Sequence, residues 1–409
     1  MLSTTSRPYI DASVPILRMH GLAITKVFYK ALFEEHPELH HVFNAGNQAN
    51  GSQQQSLASA VFAYAANIDN QAALAPVISR IAHKHASLGI TAEHYPIVGR
   101  HLLASIKEVL GDSATAPLID AWAEAYGLLA QILIEEEAKL YKASCIKPGD
   151  LLNMQVVAVE KQNTEVASFV LVPINAEVPH FKPGQYISVA VRLPNGLRQL
   201  RQYSLSDAPN SEYLRISVKR EVARAKTPAG MVSNWLHENL TVGSVIAVSK
   251  PFGEFTPDTE SNDPIVLLSA GVGITPMISV LNRIAQVSLQ RHVIFAHAAR
   301  NANLHPHRSD MEKALAGMPN LKNITFYEDD SADTDATTLA GRMQVNKLPL
   351  WDMNKAKVYM CGPLPFMQTQ WHDLLASGVP IKHLHREVFG PDMLDHLERG
   401  DETKVKLCE

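Results

Sequence analysis

Cysteine is scarce: three occur in 409 residues, Cys145, Cys361 and Cys408, far apart along the chain. That excludes a disulfide framework and a cysteine-built zinc site, and it fits a reducing compartment, so a cytoplasmic protein is expected. No Cys-x-x-Cys-His occurs, which excludes a covalently attached haem of the c type. No apolar run approaches the ~18 residues a membrane span needs, and stable membrane insertion is not expected. The opening Met1–Pro8 lacks the basic-then-apolar layout of a secretion signal. A large charge of one sign is also missing. The net charge of -4 draws the molecule to neither nucleic acid nor anionic lipid. What is present, 46% hydrophobic and 19% charged residues, suffices for a large core, and the length suits about three domains.

Three regions differ in periodicity, which predicts a multidomain chain. Residues 1–146 carry helical spacing and read as all-α. Leu17, Gly21, Ile24, Phe28 and Leu32 recur at three or four; Ile78, Ile81, His85 and Leu88 share a face behind Pro76, expected at a helix start. Thr91 is the expected N-cap of the next helix, which stops at Gly111, and a last helix carries Trp122, Tyr126, Leu129, Leu133 and Leu140. Lys147-Pro148-Gly149-Asp150 reads as a linker. Residues 150–259 hold short β-rich runs parted by turns, with one helical insert at Met231–Leu240, which predicts an antiparallel β-barrel or sandwich, the barrel being what the resemblance described below implies. Residues 260–396 alternate buried-strand runs with helices, which predicts an α/β domain on a parallel sheet. Asp329–Thr338 reads as a surface loop, and residues 397–409 as a charged tail.

Two histidines share one predicted helix. At ~100° per residue His85 falls on the apolar face and His83 points nearly the opposite way. An inward histidine is either satisfied by a backbone carbonyl or serves as a ligand. In the last helix Glu137 stands i+4 from Leu133 and i-3 from Leu140, beside the apolar stripe, so its carboxylate needs a donor. The Tyr95 hydroxyl and the His85 ring N–H are candidates. An inward histidine held by a carboxylate is the arrangement found behind a metal-bound imidazole.

Arg201-Gln202-Tyr203-Ser204 closes a predicted strand, where Arg201 serves either a cross-strand contact or a phosphate, for which its donor fork is suited. Ser269-Ala270-Gly271-Val272-Gly273-Ile274-Thr275-Pro276 joins a strand to a helix, and its glycines let backbone approach a phosphate at a helix N-terminus. Pro276 stands where a dinucleotide fingerprint has its third glycine.

Phe28-Tyr29, His36-Pro37-Glu38-Leu39, Val42-Phe43-Asn44, Asn47-Gln48, Gln53 and Lys84-His85 resemble the globin domain of the flavohaemoglobin family. Pro183-Gly184-Gln185-Tyr186, Arg201–Ser204, Val218–Glu221 and Gly230–Leu236 resemble a ferredoxin-reductase-type flavin domain, and Gly271–Pro276, Cys361-Gly362-Pro363 and Glu387-Val388-Phe389-Gly390-Pro391 resemble its nicotinamide partner. The likeness runs in order over residues 10 to 392.

The resemblance implies haem b on His85 as iron ligand, with Tyr95 and Glu137 completing its hydrogen-bonded triad and Phe43 against the haem. Tyr29 and Gln53 then serve the distal side, Leu57 limits space there, and Lys84 and Glu387 either tune electron transfer or are exposed charges. FAD would meet Arg201, Gln202, Tyr203, Ser204 and Tyr186, with Phe389 against its ring. NAD(P)H would meet Gly271, Val272, Gly273, Ile274, Thr275 and Pro276, then Cys361, Gly362 and Pro363; Glu387, Val388, Phe389, Gly390 and Pro391 complete the cofactor-binding set beside the flavin. Val388 replaces a cysteine common in the family. Arg300 after the strand ending at His297 could accept a 2′-phosphate, and no acidic residue there suits a ribose diol. The activity implied is conversion of nitric oxide to nitrate with dioxygen at the expense of NAD(P)H; a lipid over the haem is a further candidate ligand. Two other readings are a general haem-flavin reductase of quinones, ferric iron or hydroperoxides, and an oxygen-binding or sensing globin kept ferrous by its reductase.

Overall fold

The computed structural model describes residues 2–41, 57, 60, 61, 63–223, 228–329 and 336–390. They fall into two compact units, one built mainly on the first 150 residues and the other on 151–193 and 201–389.

The first unit is helical: α1 (Arg7–Glu35), α2 (Gln71–Leu88), α3 (His94–Leu110) and α4 (Ala116–Ala143). Ile10, Leu17, Ile24, Phe28 and Leu32 of α1 are buried at helical spacing and meet Leu102 and Ile106 of α3 and Trp122 of α4 in one core. Truncating a side chain such as Phe28 there costs about 3–5 kcal/mol. Two helix starts differ from expectation. Helix α2 begins at Gln71, because the Asn70 side chain caps it by accepting from the Ala73 amide at 3.2 Å; Pro76 therefore sits inside the helix. Thr91 does not cap α3. Its amide donates to His94 Nδ1 at 3.0 Å, and the N-cap is Glu93, without a side-chain bond. Gly89 ends α2 at φ 79°, packed so that a Cβ would lie 2.7 Å from Gly149 Cα, and Gly111 ends α3.

In the second unit, the strands β1 (Leu152–Lys161), β2 (Val166–Pro173), β3 (Tyr186–Arg192), β4 (Arg198–Ser204), β5 (Leu214–Lys219) and β6 (Val245–Val248) form a sheet in the order β4-β3-β6-β1-β2-β5. Its mapped pairings are antiparallel, and a Leu205–Ile216 bridge joins the segment after β4 to β5. Helix α5 (Met231–Asn239) is the insert.

The other sheet is parallel, in the order β10-β9-β8-β7-β11-β12, from β7 (Ile265–Ala270), β8 (Val293–Ala299), β9 (Leu321–Tyr327), β10 (Thr338–Ala340), β11 (Lys357–Cys361) and β12 (Leu384–Glu387). Helices α6 (Ile274–Val287), α7 (Arg308–Gly317) and α8 (Leu364–Ala376) accompany it. Every residue of β7 is buried; Ile265 and Leu267 join one apolar cluster while Val266 and Leu268 join another. Burial on both faces explains the unbroken apolar run that marked this strand. Strand order reverses between β7 and β11, so their carboxyl ends frame the crevice where such sheets bind ligands.

The sequence pattern did not predict α7, β10 or β12. Most of the loop expected at Asp329–Thr338 and all of the expected charged tail lie outside the described residues. Among those described, no helix is long and apolar enough to cross a membrane.

Candidate haem and flavin-nicotinamide sites

In the helical unit, α2, α3 and α4 each contribute one polar side chain to an apolar neighbourhood. His85 Nδ1 is 2.8 Å from Glu137 Oε1 and 3.1 Å from the Tyr95 hydroxyl, which itself donates to Glu137 Oε1 at 2.5 Å. Glu137 is only 2% exposed, which a carboxylate tolerates because two donors converge on it. Around them pack Ala82, Leu133, Ile81 and Ala130. Burial, and then the bond to Glu137, push the Tyr95 phenol far up, so it stays a donor at any physiological pH. Tyr126 donates to the Tyr95 carbonyl at 2.7 Å and Tyr141 to the Ile90 carbonyl at 2.7 Å, which fixes this end of α3. With its Nδ1 proton directed at Glu137, the imidazole holds its lone pair on Nε2. The ring is one-third exposed although Glu137 is buried. That donor set fits a haem iron held by a single imidazole.

Tyr29 of α1 is buried, edge-on to Phe28 with centroids 4.8 Å apart and stacked on Phe33 at 5.8 Å. Leu57 packs against the same core, and Lys84 is half-buried beside His85. Phe43 and Gln53 lie outside the described residues.

In the second unit Arg201, Gln202, Tyr203 and Ser204 line the end of β4. Burial lowers the Arg201 guanidinium to about 10, against the opposing pull of Tyr203. A cation so desolvated gains from an anion such as a pyrophosphate. Burial also raises the Tyr203 phenol. Gln202 donates to Ser188 Oγ at 3.1 Å. Tyr186 exchanges backbone bonds with Phe252, and its ring packs where a Cβ on Gly253 would come within 3.1 Å. Gly230 is the N-cap of α5, and its amide donates to the Glu221 carbonyl at 2.8 Å.

At the crevice, β7 runs through a short turn, Gly271–Gly273, into α6. Gly271 has φ +54° with open space where a Cβ would stand; a Cβ on Gly273 would lie 2.3 Å from the Cys361 carbonyl oxygen. One glycine leaves room for a ligand and the other lets two backbones touch, the arrangement a dinucleotide phosphate needs. Val272, Ile274, Thr275 and Pro276 complete the turn and the first residues of α6; Thr275 Oγ1 donates to the Val272 carbonyl at 3.0 Å. Cys361 is fully buried, followed by Gly362 and Pro363, the N-cap of α8. Glu387 pairs in register with Cys361 and is 8% exposed, while Val388 is half-buried against the core and Phe389 is exposed. Gly390 has φ +123°, and Pro391 lies outside the described residues.

One polar cluster escaped sequence reasoning. His297, in register with Ser269, has its Nδ1 2.9 Å from Ser269 Oγ, and His305 Nδ1 is 3.0 Å from the Tyr327 hydroxyl. His307 Nδ1 is 2.8 Å from Asp310 Oδ2, and the other oxygen of Asp310 takes Arg215 at 2.9 Å and Asn282 at 3.1 Å. Burial would raise the Asp310 carboxyl, but the His307 bond and the Arg215 charge hold it far below the usual range. Arg215 comes from the antiparallel sheet and Asp310 from α7, so the pair ties the flavin-type lobe to the nicotinamide-type lobe. The only advance signal was His307-x-x-Asp310 at helical spacing.

Three family models match. "Globin" covers residues 26–133, "Oxidoreductase FAD-binding domain" 153–256 and "Oxidoreductase NAD-binding domain" 267–371. A flavohemoprotein of Rhizobium meliloti is 46% identical over 96% of this chain and 99% of its own; one of Chromobacterium violaceum is 47% identical over 95% and 98%. The chain belongs to the flavohaemoprotein family. Its cofactors are accordingly haem, FAD and a nicotinamide dinucleotide, and it is an NAD-dependent oxidoreductase of the flavohaemoprotein type. A crystal structure of a flavohemoglobin from Malassezia yamatoensis with bound FAD and heme matches with TM-score 0.84 at 30% identity, over 95% of this chain and all of that one. The FAD/NAD-binding domain of a nitric oxide dioxygenase from Vibrio cholerae matches with TM-score 0.55 at 38% identity, over 59% of this chain and all of that one.

Proposed function

We propose that the protein is a nitric oxide dioxygenase, oxidising nitric oxide to nitrate with dioxygen and NAD(P)H in the cytoplasm. The observation that carries it is the His85–Tyr95–Glu137 group in a globin joined, within one chain, to a flavin reductase. Electron counting supports the fusion: nitric oxide plus dioxygen becomes nitrate on gaining one electron, and a nicotinamide gives up two. When bound, the nicotinamide supplies a hydride, the flavin parts it into single electrons, and haem iron holds dioxygen.

Glu137 accepts the His85 Nδ1 proton and so makes the imidazole a stronger electron donor, which favours oxidation chemistry over reversible storage. Tyr95 holds that carboxylate in place. Tyr29 would offer a hydroxyl to dioxygen as negative charge builds on it, and Leu57 would restrict access; the family resemblance assigns Gln53 to the same side and Phe43 to the haem. Arg201, Gln202, Tyr203, Ser204 and Tyr186 seat FAD. Gly271–Pro276 and Cys361–Pro363 seat the nicotinamide dinucleotide, and Phe389, in the segment that opens with Glu387, serves the flavin ring. Lys84 and Glu387 modulate electron transfer. The domains divide near residues 146–150 and 259–260. Arg300 is paired with Glu165, so it is a weak anchor for a 2′-phosphate and both nicotinamides are substrates to test.

The test is nitric oxide consumption by the purified holoprotein, with nitrate and NAD(P)H followed together. Two nitrates for each NAD(P)H over many turnovers is the expected result. A single burst without further consumption points to a storage or sensing globin, and rapid quinone or hydroperoxide reduction without sustained nitrate formation points to a general reductase.

A further inference from the structure

The end of α1 and the middle of α3 bring three ligand-type side chains together, away from His85. Glu35 is the last residue of α1, His36 is its C-cap, and His101 comes from α3. One donor atom from each lies within 4.8 Å of the others. His101 is 4% exposed, and its buried Nε2 has no hydrogen-bond partner among the described residues, although Glu35 Oε2 stands 3.5 Å away. A polar atom left so inside a protein needs an explanation, and an absent ion is one.

His36 is already oriented as a ligand. Its Nδ1 is 3.0 Å from Glu38 Oε1, which draws the ring proton to that side and leaves the Nε2 lone pair outward. That lone pair now faces Arg100 Nη2 at 3.2 Å, and the same nitrogen is 3.7 Å from Glu35 Oε2. The guanidinium thus stands in for a cation against two of the three donors. Arg100 is 63% exposed and can swing into solvent.

We propose that Glu35, His36 and His101 form a site for a zinc-type divalent ion, which displaces the Arg100 side chain and takes water as fourth ligand. Two imidazoles and a carboxylate with an open fourth position suit zinc in both donor type and number. The ion would clasp α1 to α3. Phe33 in the last turns of α1 stacks on Tyr29, so the clasp braces the helix that presents the Tyr29 side chain.

Zinc chloride is titrated into the full-length holoprotein against a chromophoric chelator, with Glu35→Gln, His36→Gln and Arg100→Ala in parallel. These side chains are exposed or half-buried, so folding is not at stake. Wild type should bind one equivalent in competition with the chelator, each of the first two variants about tenfold or more weakly, and Arg100→Ala more tightly. X-ray absorption at the zinc edge should show a nitrogen and oxygen shell without sulfur. Failure of wild type to compete for zinc, or affinity unchanged in both Glu35→Gln and His36→Gln, overturns the site.

Discussion

The two units organise their chemistry by opposite means. In the helical unit the work falls to side chains: His85, Tyr95 and Glu137 come from three helices and meet only because each faces inward at its own helical phase. In the reductase unit the crevice is made largely by backbone, where Gly271 leaves space and Gly273 lets the β7 turn touch Cys361. A side-chain site is sensitive to the loss of a group. A backbone site is sensitive to the addition of one.

This contrast can be broken by substitution. His85→Ala should abolish haem retention and nitric oxide turnover, yet leave NAD(P)H oxidation by artificial acceptors near wild type; loss of both activities would mean the units are not separable. Gly273→Val should spare haem binding and act on the electron supply, so that sustained nitric oxide turnover falls with flavin reduction. The added atoms meet the Cys361 carbonyl, so the turn must shift, and a shift of about 1 Å lowers nicotinamide-driven flavin reduction about 100-fold while the haem spectrum is kept. Stopped-flow bleaching of the flavin measures it, and an unchanged rate would show that the close approach is not required.

Glu137→Gln keeps size but weakens the bond to His85, and should lower haem affinity or turnover about 10- to 100-fold. The iron–histidine stretching band should move to lower frequency, a change that loose packing alone would not give.

The smallest effect concerns pH and distinguishes the units by stability. Burial first, then the charges of Arg308 and His307, lower His305 to about 4 from an ordinary 6.5. It is neutral in the fold and takes up a proton on unfolding. Its stabilising contribution is therefore complete above about pH 6.5 and declines as pH falls toward 4, by up to about 3 kcal/mol. Buried His297 shifts in the same direction. Melting followed by flavin release should fall in temperature between pH 7.5 and 5, less so in His305→Gln. Equal slopes in the two proteins would remove the histidine from the account.

Much of this was legible in the sequence because it depended on local phase. Residues 133, 137 and 140 fix which glutamate of three turns inward, and a buried parallel strand reads as an unbroken apolar run at 265–268. Helix starts were harder: Asn70 and His94 compete for amides through side chains, and such bonds overrode the expectation at Pro76 and Thr91. The Arg215–Asp310–His307 tie was not legible beyond the spacing of His307 and Asp310. Its members lie as far as 95 positions apart and meet only through the packing of two lobes. Strand β12 was missed because it is short and Leu384 alone of its residues is apolar, which leaves no alternation to read.

The placement of Cys361 carries a chemical consequence. Enclosure, with the Glu387 carboxylate next in effect, raises its thiol well above the ordinary value, so almost no thiolate exists there. Nitrosating and oxidising agents attack the deprotonated, accessible form of sulfur. Of the two cysteines among the described residues, exposed Cys145 should therefore be modified first by reactive nitrogen species, while the sulfur beside the nicotinamide crevice passes through the same exposure intact.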